Sequence, residues 1–292
     1  HRLNDIIRGA NRHLFSNTTD AEVINDANGY LSAFTSDGFS LTSGTGVNAS
    51  GNSYVAWCWD AGSSTVTNTQ GSISSQVRAN ASAGFSVVTW TQASAGANTI
   101  GHGLGVAPSL VIVKSRSLAS EWAVYHAELG ATKFLKLNAT DAAGTVSAYW
   151  NNTAPTSSVF SVGSWSNLAG DNLAYCFAPV AGYSSFGSYT GNGSADGPFV
   201  YTGFRPRWIL WKCTTAAYDW DVYDAVRDPY NAAAARLKPN SSDAEATLSP
   251  ATFDILSNGF KLRQGYNSSN ASGQIYIYFA VAESPFQYAR AR

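Results

Sequence analysis

The chain repeats itself, and the repetition limits its folds more tightly than any single residue does. Three segments carry one phrase at matching places: Asn17-Thr-Thr-Asp-Ala21, Asn138-Ala-Thr-Asp-Ala142 and Asn240-Ser-Ser-Asp-Ala244. Other landmarks keep the same order. Pro108, Lys114 and Trp122 recur as Pro206, Lys212 and Trp220, at one constant offset of about 98 residues. That period is too long for a solenoid repeat of ~20–50 residues. It is the size of a small autonomous domain, so the chain reads as an array of like domains.

The copies are unequal. The second spans 84–181 and the third 182–292. Each opens on a glycine and an aromatic residue (Gly84-Phe85, Gly182-Tyr183). Each then turns through glycine to proline and runs through an apolar stretch into lysine: Leu110-Val-Ile-Val-Lys114 and Trp208-Ile-Leu-Trp-Lys212. The first copy, 1–62, holds only the later half. Its Leu3-Asn-Asp-Ile-Ile-Arg8 matches Val222-Tyr-Asp-Ala-Val-Arg227, and the turn and apolar strand before it are absent. Phe39, Phe160 and Phe260 sit at equivalent places. So do three aromatic-rich closing segments, Tyr54–Trp59, Leu173–Phe177 and Tyr276–Ala280. Because the sequence contains no methionine, the expectation is a piece of a longer polypeptide. The alternative is that a neighbouring subunit lends the missing strands.

Apolar segments are short, rich in β-branched and aromatic residues, and separated by turn residues every ~10 positions, which predicts an all-β chain of tandem β-sandwich domains. Residues 63–83 contain no aromatic residue and predict a polar hairpin around Gln70-Gly71, linking the first and second copies. Asp5–His13 and Asn231–Arg236 are the places where a helical turn or two is expected. The second and third copies meet at Ala181-Gly182-Tyr183 with almost no linker, so they are expected to pack as a rigid pair.

Charge excludes several functions. Net charge is −1 and charged residues are 13%, about half the usual ~25%. Nothing here attracts nucleic acid or an anionic membrane surface. No run reaches the ~18 apolar residues of a membrane helix. Of three cysteines, Cys58 and Cys176 share one place in the closing segment, where the third copy has Tyr278. A position that accepts cysteine or tyrosine reads as packing rather than as a disulfide, in keeping with a reducing cytoplasm.

Several phrases resemble a domain family of tailed-bacteriophage virion proteins: Ile100-Gly-His-Gly-Leu-Gly-Val-Ala-Pro108, Trp122-Ala-Val-Tyr-His126, Gly187–Phe199 and the closing Pro285–Arg292. The resemblance covers essentially the whole chain. It implies a virion component, assembled in the host cytoplasm, and suggests that Arg292 is a natural C-terminus. By analogy with such fibres it implies a homo-oligomer, commonly a trimer, alongside other virion proteins. It carries over no catalytic residue.

Residues with chemical potential have bland readings that outweigh the sharp ones. His102 lies in a Gly-His-Gly turn with no histidine in the third copy. His126 aligns with Asp5 and Asp224, which favours hydrogen bonding at a strand end over metal binding. His1 and His13 have no ligand spacing. Acids flank Trp122 (Glu121, Glu128) and Trp220 (Asp219, Asp221, Asp224). That is raw material for a glycosidase, but on sequence the two copies do not place the acids alike. Asp20, Asp141 and Asp243 are thin as calcium ligands and read as turn caps. Asn17, Asn138 and Asn240 are formal glycosylation sequons, void in a protein made in bacterial cytoplasm.

Sugar recognition pairs aromatic faces with polar groups. Tyr149, Trp150, Asn151, Trp165, Tyr218 and Tyr230 are its candidates, the alternative being that these rings pack between domains or subunits. No catalytic residue, metal site or cofactor is expected. The first reading is a virion structural protein of the tail-fibre or appendage kind, attaching to a host-surface glycan. The alternatives are a capsid-decorating or purely structural virion protein and, last, a carbohydrate-active enzyme.

Overall fold

A computed structural model describes residues 1–285. Residues 286–292, including the expected terminus at Arg292, lie outside the described set. The chain is all-β, built from antiparallel sheets.

The second copy is organised by one eight-stranded sheet. From edge to edge it runs Gly144–Thr145, Lys133–Lys136, Ala123–His126, Leu110–Ser115, Gly170–Phe177, Phe85–Gln92, Ser75–Asn80 and Thr65–Asn68. A two-stranded sheet, Asn98–Gly101 with Val159–Val162, covers one face. The third copy has a four-stranded sheet ordered Ser184–Thr190, Ile275–Ala282, Pro206–Cys213 and Trp220–Asp224, with Phe199–Tyr201, Gly259–Leu262 and Phe253–Leu256 forming its smaller sheet. The pairings correspond. In both copies the lysine strand lies between the tryptophan strand and the closing strand, and the closing strand also pairs with the opening strand.

Alternation along each strand fills two cores at once. In the closing strand of the second copy, Ala174 and Cys176 point toward the small sheet and join Trp90, Val111, Phe160 and Trp150. Leu173 and Tyr175 point the other way. There they meet Leu210, Ile277 and Phe279 of the third copy and Leu14 of the first. The large sheets of the second and third copies thus pack face to face, Phe177 against Phe279 with ring centroids 5.0 Å apart. The expected close pair is present, and its core includes the first segment as well.

Three expectations need correction. Residues 63–83 form the predicted hairpin, but it is no spacer: Ser75–Asn80 pairs with Phe85–Gln92, Val77 opposite Val88. Neither Asp5–His13 nor Asn231–Arg236 is helical. The Asp228 carboxylate accepts the Ala234 and Ala235 N–H groups, and Ala235–Arg236 becomes a short strand. The third is Tyr54–Trp59, which forms no strand. Its β-propensity is high, but it has neither of the neighbours that flank the other two closing strands. Cys58 is accordingly exposed, whereas Cys176 and Cys213 are buried, and all three thiols are free.

Candidate functional site

The residues expected to bind sugar do not converge. Trp150, in the helical turn Ser147–Trp150, is 2% exposed and packs edge-on against Tyr125 at 5.8 Å. Trp165 is buried beside Tyr149, which itself stacks on Phe134 at 3.9 Å. These rings serve the sandwich core, so Trp150 and Trp165 offer no face to a ligand. Asn151 is exposed, with a left-handed φ of 50°, and closes the helical turn through its N–H to the Ser147 carbonyl. Tyr218 is half-buried against the third core. Tyr230, 85% exposed, is the candidate ring that stands free in solvent.

The acids and histidines have structural employment. The Asn138 side chain accepts the Trp122 N–H and donates to Glu121; Asn240 does the same with Trp220 and Asp219. Glu121 and Asp219 therefore occupy one place, a likeness the sequence comparison missed. Lys136 pairs with Asp141 at 3.0 Å and Lys238 with Asp243 at 3.1 Å. Asp5, His126 and Asp224 each receive backbone N–H groups of the following turn. The expected strand-end hydrogen bonding is what is seen. His102 likewise caps its turn, accepting the Leu104 N–H at Nδ1 and donating from Nε2 to the Thr156 carbonyl. Among the described residues no three His, Cys, Asp or Glu side chains gather as a metal site.

What does converge is a polar clasp at each junction between segments. Lys114, wholly buried, donates from Nζ to the carbonyls of Thr19, Ser115 and Leu118 and to Ser120 Oγ. Lys212, also buried, reaches the carbonyls of Thr140 and Cys213. Thr19 and Thr140 belong to the repeated phrase of the preceding segment. Tryptophan follows the same rule: Trp122 Nε1 donates to the Phe15 carbonyl at 2.9 Å, and Trp220 Nε1 to the Lys136 carbonyl at 2.8 Å. A backbone bond completes each clasp, Glu22 N–H to Arg116 O and Ala143 N–H to Thr214 O, both 2.9 Å. The signal was available in the sequence, since phrase, lysine and tryptophan recur together. That each reaches the previous copy could not be read from one dimension.

Electrostatics at the clasps is dominated by burial. Burial lowers the Lys114 and Lys212 ammonium pKa values to about 8 each. Glu22 is pulled down to about 2 despite its burial, because Arg116, Arg12 and Arg8 surround it. Arg8 in turn bridges the buried Asp5 carboxylate and the Tyr175 hydroxyl, tying the first segment to the second sheet. His126, buried between the second and third copies, holds a proton on Nε2 for the Tyr278 carbonyl at 3.2 Å. Burial lowers its pKa to about 4.

A family model described as a domain of unknown function (DUF7483) matches residues 1–285. Neither curated proteins nor solved structures give a match.

Proposed function

We propose that this chain, which belongs to the DUF7483 family, is a structural protein of a tailed-phage particle, a block in a tail fibre or related appendage. The observation that carries the reading is the pair of equivalent clasps, which fix three segments around one shared apolar core. Such a block transmits load without hinging, because each junction combines buried lysine, indole and backbone bonds with sheet-on-sheet packing. The sequence resemblance to virion proteins supplies the setting. Host-surface attachment is the finer part of the proposal and falls to exposed loop groups, Tyr230 first.

Localisation tests it. Antibody against this chain, gold-labelled on purified phage particles, is expected to mark the tail tip or fibres. Labelling confined to the head favours the capsid-decorating alternative, and absence from the particle removes the virion reading. Binding of the purified chain to a glycan array, lost in Tyr230→Ala with unchanged melting temperature, tests attachment separately.

A further inference from the structure

We propose that the open side of the first segment is an interaction surface for a complementing half-unit: an opening strand plus an apolar strand that ends in lysine, supplied by a polypeptide outside residues 1–292. Four separate features define the same gap. Among the described residues the strand Arg2–Leu3 pairs on one side only, with Arg12–Phe15. Its counterpart Ala123–His126 pairs on its other side with the lysine strand Leu110–Ser115. The closing segment Tyr54–Trp59 pairs with no strand among the described residues, with Tyr54 51% and Val55 41% exposed. Its counterparts pair on both sides. Phe39 is 38% exposed, whereas the equivalent Phe160 and Phe260 are 1% and 0%. A sandwich face meant to be covered therefore stands open, and Phe34 and Leu41 beside it are exposed too.

The fourth feature lies on the third copy. Thr19 and Thr140 accept a lysine from the next unit, and Glu22 and Ala143 donate to it. At the matching places Ser242 and Glu245 are exposed residues, and neither the Ser242 carbonyl nor the Glu245 N–H has such a partner among the described residues. This phrase borders the gap. Ser16 Oγ donates to the Pro239 carbonyl at 2.7 Å, while Ser16 N–H bonds the His1 carbonyl at 3.0 Å. The latter bond matches Leu137 N–H to Trp122 O at 2.9 Å, so His1 stands where the other copies have tryptophan. A lysine strand laid along Arg2–Asp5 would pair with that edge, reach Tyr54–Trp59 on its far side and bring its ammonium to Ser242. One occupant satisfies all four features.

A second copy of this chain is the wrong occupant. Its own lysine strands, Leu110–Ser115 and Pro206–Cys213, are already paired on both edges. The missing piece is a further half-unit of the same pattern.

The test appends that pattern. Residues 84–121 of the chain end one position before Trp122, the counterpart of His1, so a duplicate of them is fused directly ahead of His1. Hydrogen exchange of the extended chain is expected to slow by about tenfold or more at Arg2–Asp5, Tyr54–Trp59 and Ser242–Glu245. Dye binding to exposed apolar surface should fall and Trp57 and Trp59 emission shift to the blue. Carrying Lys114→Glu in the duplicate alone should abolish the protection at Ser242–Glu245. A second extension, duplicating residues 182–219, guards against one misfolded fusion. If neither extension protects these segments, the proposal is wrong. It is equally overturned if the unextended chain sediments as an oligomer in which Phe39 and Tyr54–Trp59 are already protected, because a second copy is then the occupant.

Discussion

His126 and Asp221 show how single buried groups make this fold sensitive to pH, in opposite senses. The folded pKa of His126 is depressed to about 4 by burial, against an ordinary imidazole value of about 6.5. Its stabilising contribution is therefore complete above pH ~6.5 and is lost as pH falls through ~4. Protonating Nδ1 would also oppose the Glu128 N–H that it accepts. Urea unfolding is expected to show a loss of about 2–3 kcal/mol between pH 7 and pH 4 from this residue. His126→Asn, which keeps an acceptor for Glu128, should flatten that part of the curve. Asp221 runs the other way. It is wholly buried, neither carboxylate oxygen has a hydrogen-bond partner of ordinary geometry among the described residues, the Ser268 and Trp211 side chains interact with it only weakly, and Arg236 Nε is 3.8 Å away. Burial raises its pKa to about 6, with Arg236 opposing. An acid raised in the folded state destabilises as it ionises, so the penalty grows from pH ~4 and is complete above pH ~6. Asp221→Asn should then stabilise the protein at pH 7.5 by about 1–3 kcal/mol and do nothing at pH 4. A destabilised Asn variant at pH 7.5 would show that the carboxylate is satisfied by groups such as bound water.

At the level of elements, the lysine strand organises each unit. It sits between two partners, buries alternate side chains into two cores, and carries next to its end the lysine that grips the previous segment. Lys114→Ala leaves the carbonyls of Thr19, Ser115 and Leu118 short of a donor. It should cost about 2–4 kcal/mol and speed proteolysis between Ser16 and Glu22. Lys212→Ala should have the equivalent effect around Asn138–Ala143, and protease resistance unchanged from the unsubstituted chain in both variants would count against the clasp. Strands were legible because alternation, aromatic content and glycine turns agree locally, as in Phe85–Gln92 and Ile275–Ala282. Tyr54–Trp59 was misread because a strand's existence depends on its neighbours, which sequence propensity does not contain. The Asn231–Arg236 stretch was misread because alanine propensity is worth only tenths of a kcal/mol per residue, less than the two hydrogen bonds Asp228 gives to the extended form. The sugar candidates were the least legible. Trp150 and Trp165 sit in loop-like sequence rich in asparagine and serine, and only packing shows that their rings turn inward.

Across the whole molecule the units are not beads on a string. The central core draws Leu14 from the first segment, Leu173 and Tyr175 from the second and Leu210, Ile277 and Phe279 from the third. Around it Trp59, Phe177, Phe186, Trp208 and Phe279 form one connected aromatic cluster. Trp57 joins it against Trp208 and donates from Nε1 to Asp224 of the third copy at 3.1 Å. Removing any one segment would expose the apolar faces of the other two, so the folded state should behave as a single cooperative unit. Calorimetry is expected to give one transition, with van 't Hoff and calorimetric enthalpies in agreement. Phe279→Ala, at the centre of the cluster, should lower that whole transition by about 3–5 kcal/mol. Truncation of a residue in the outer core of the third copy alone, such as Phe253→Ala, should move the same transition, because the outer cores share their large sheets with the central one. Two resolved transitions, only one of them displaced by Phe279→Ala, would mean that the sheets dock as independent domains. Rigidity of the block would then have to come from the clasps at Lys114 and Lys212 alone.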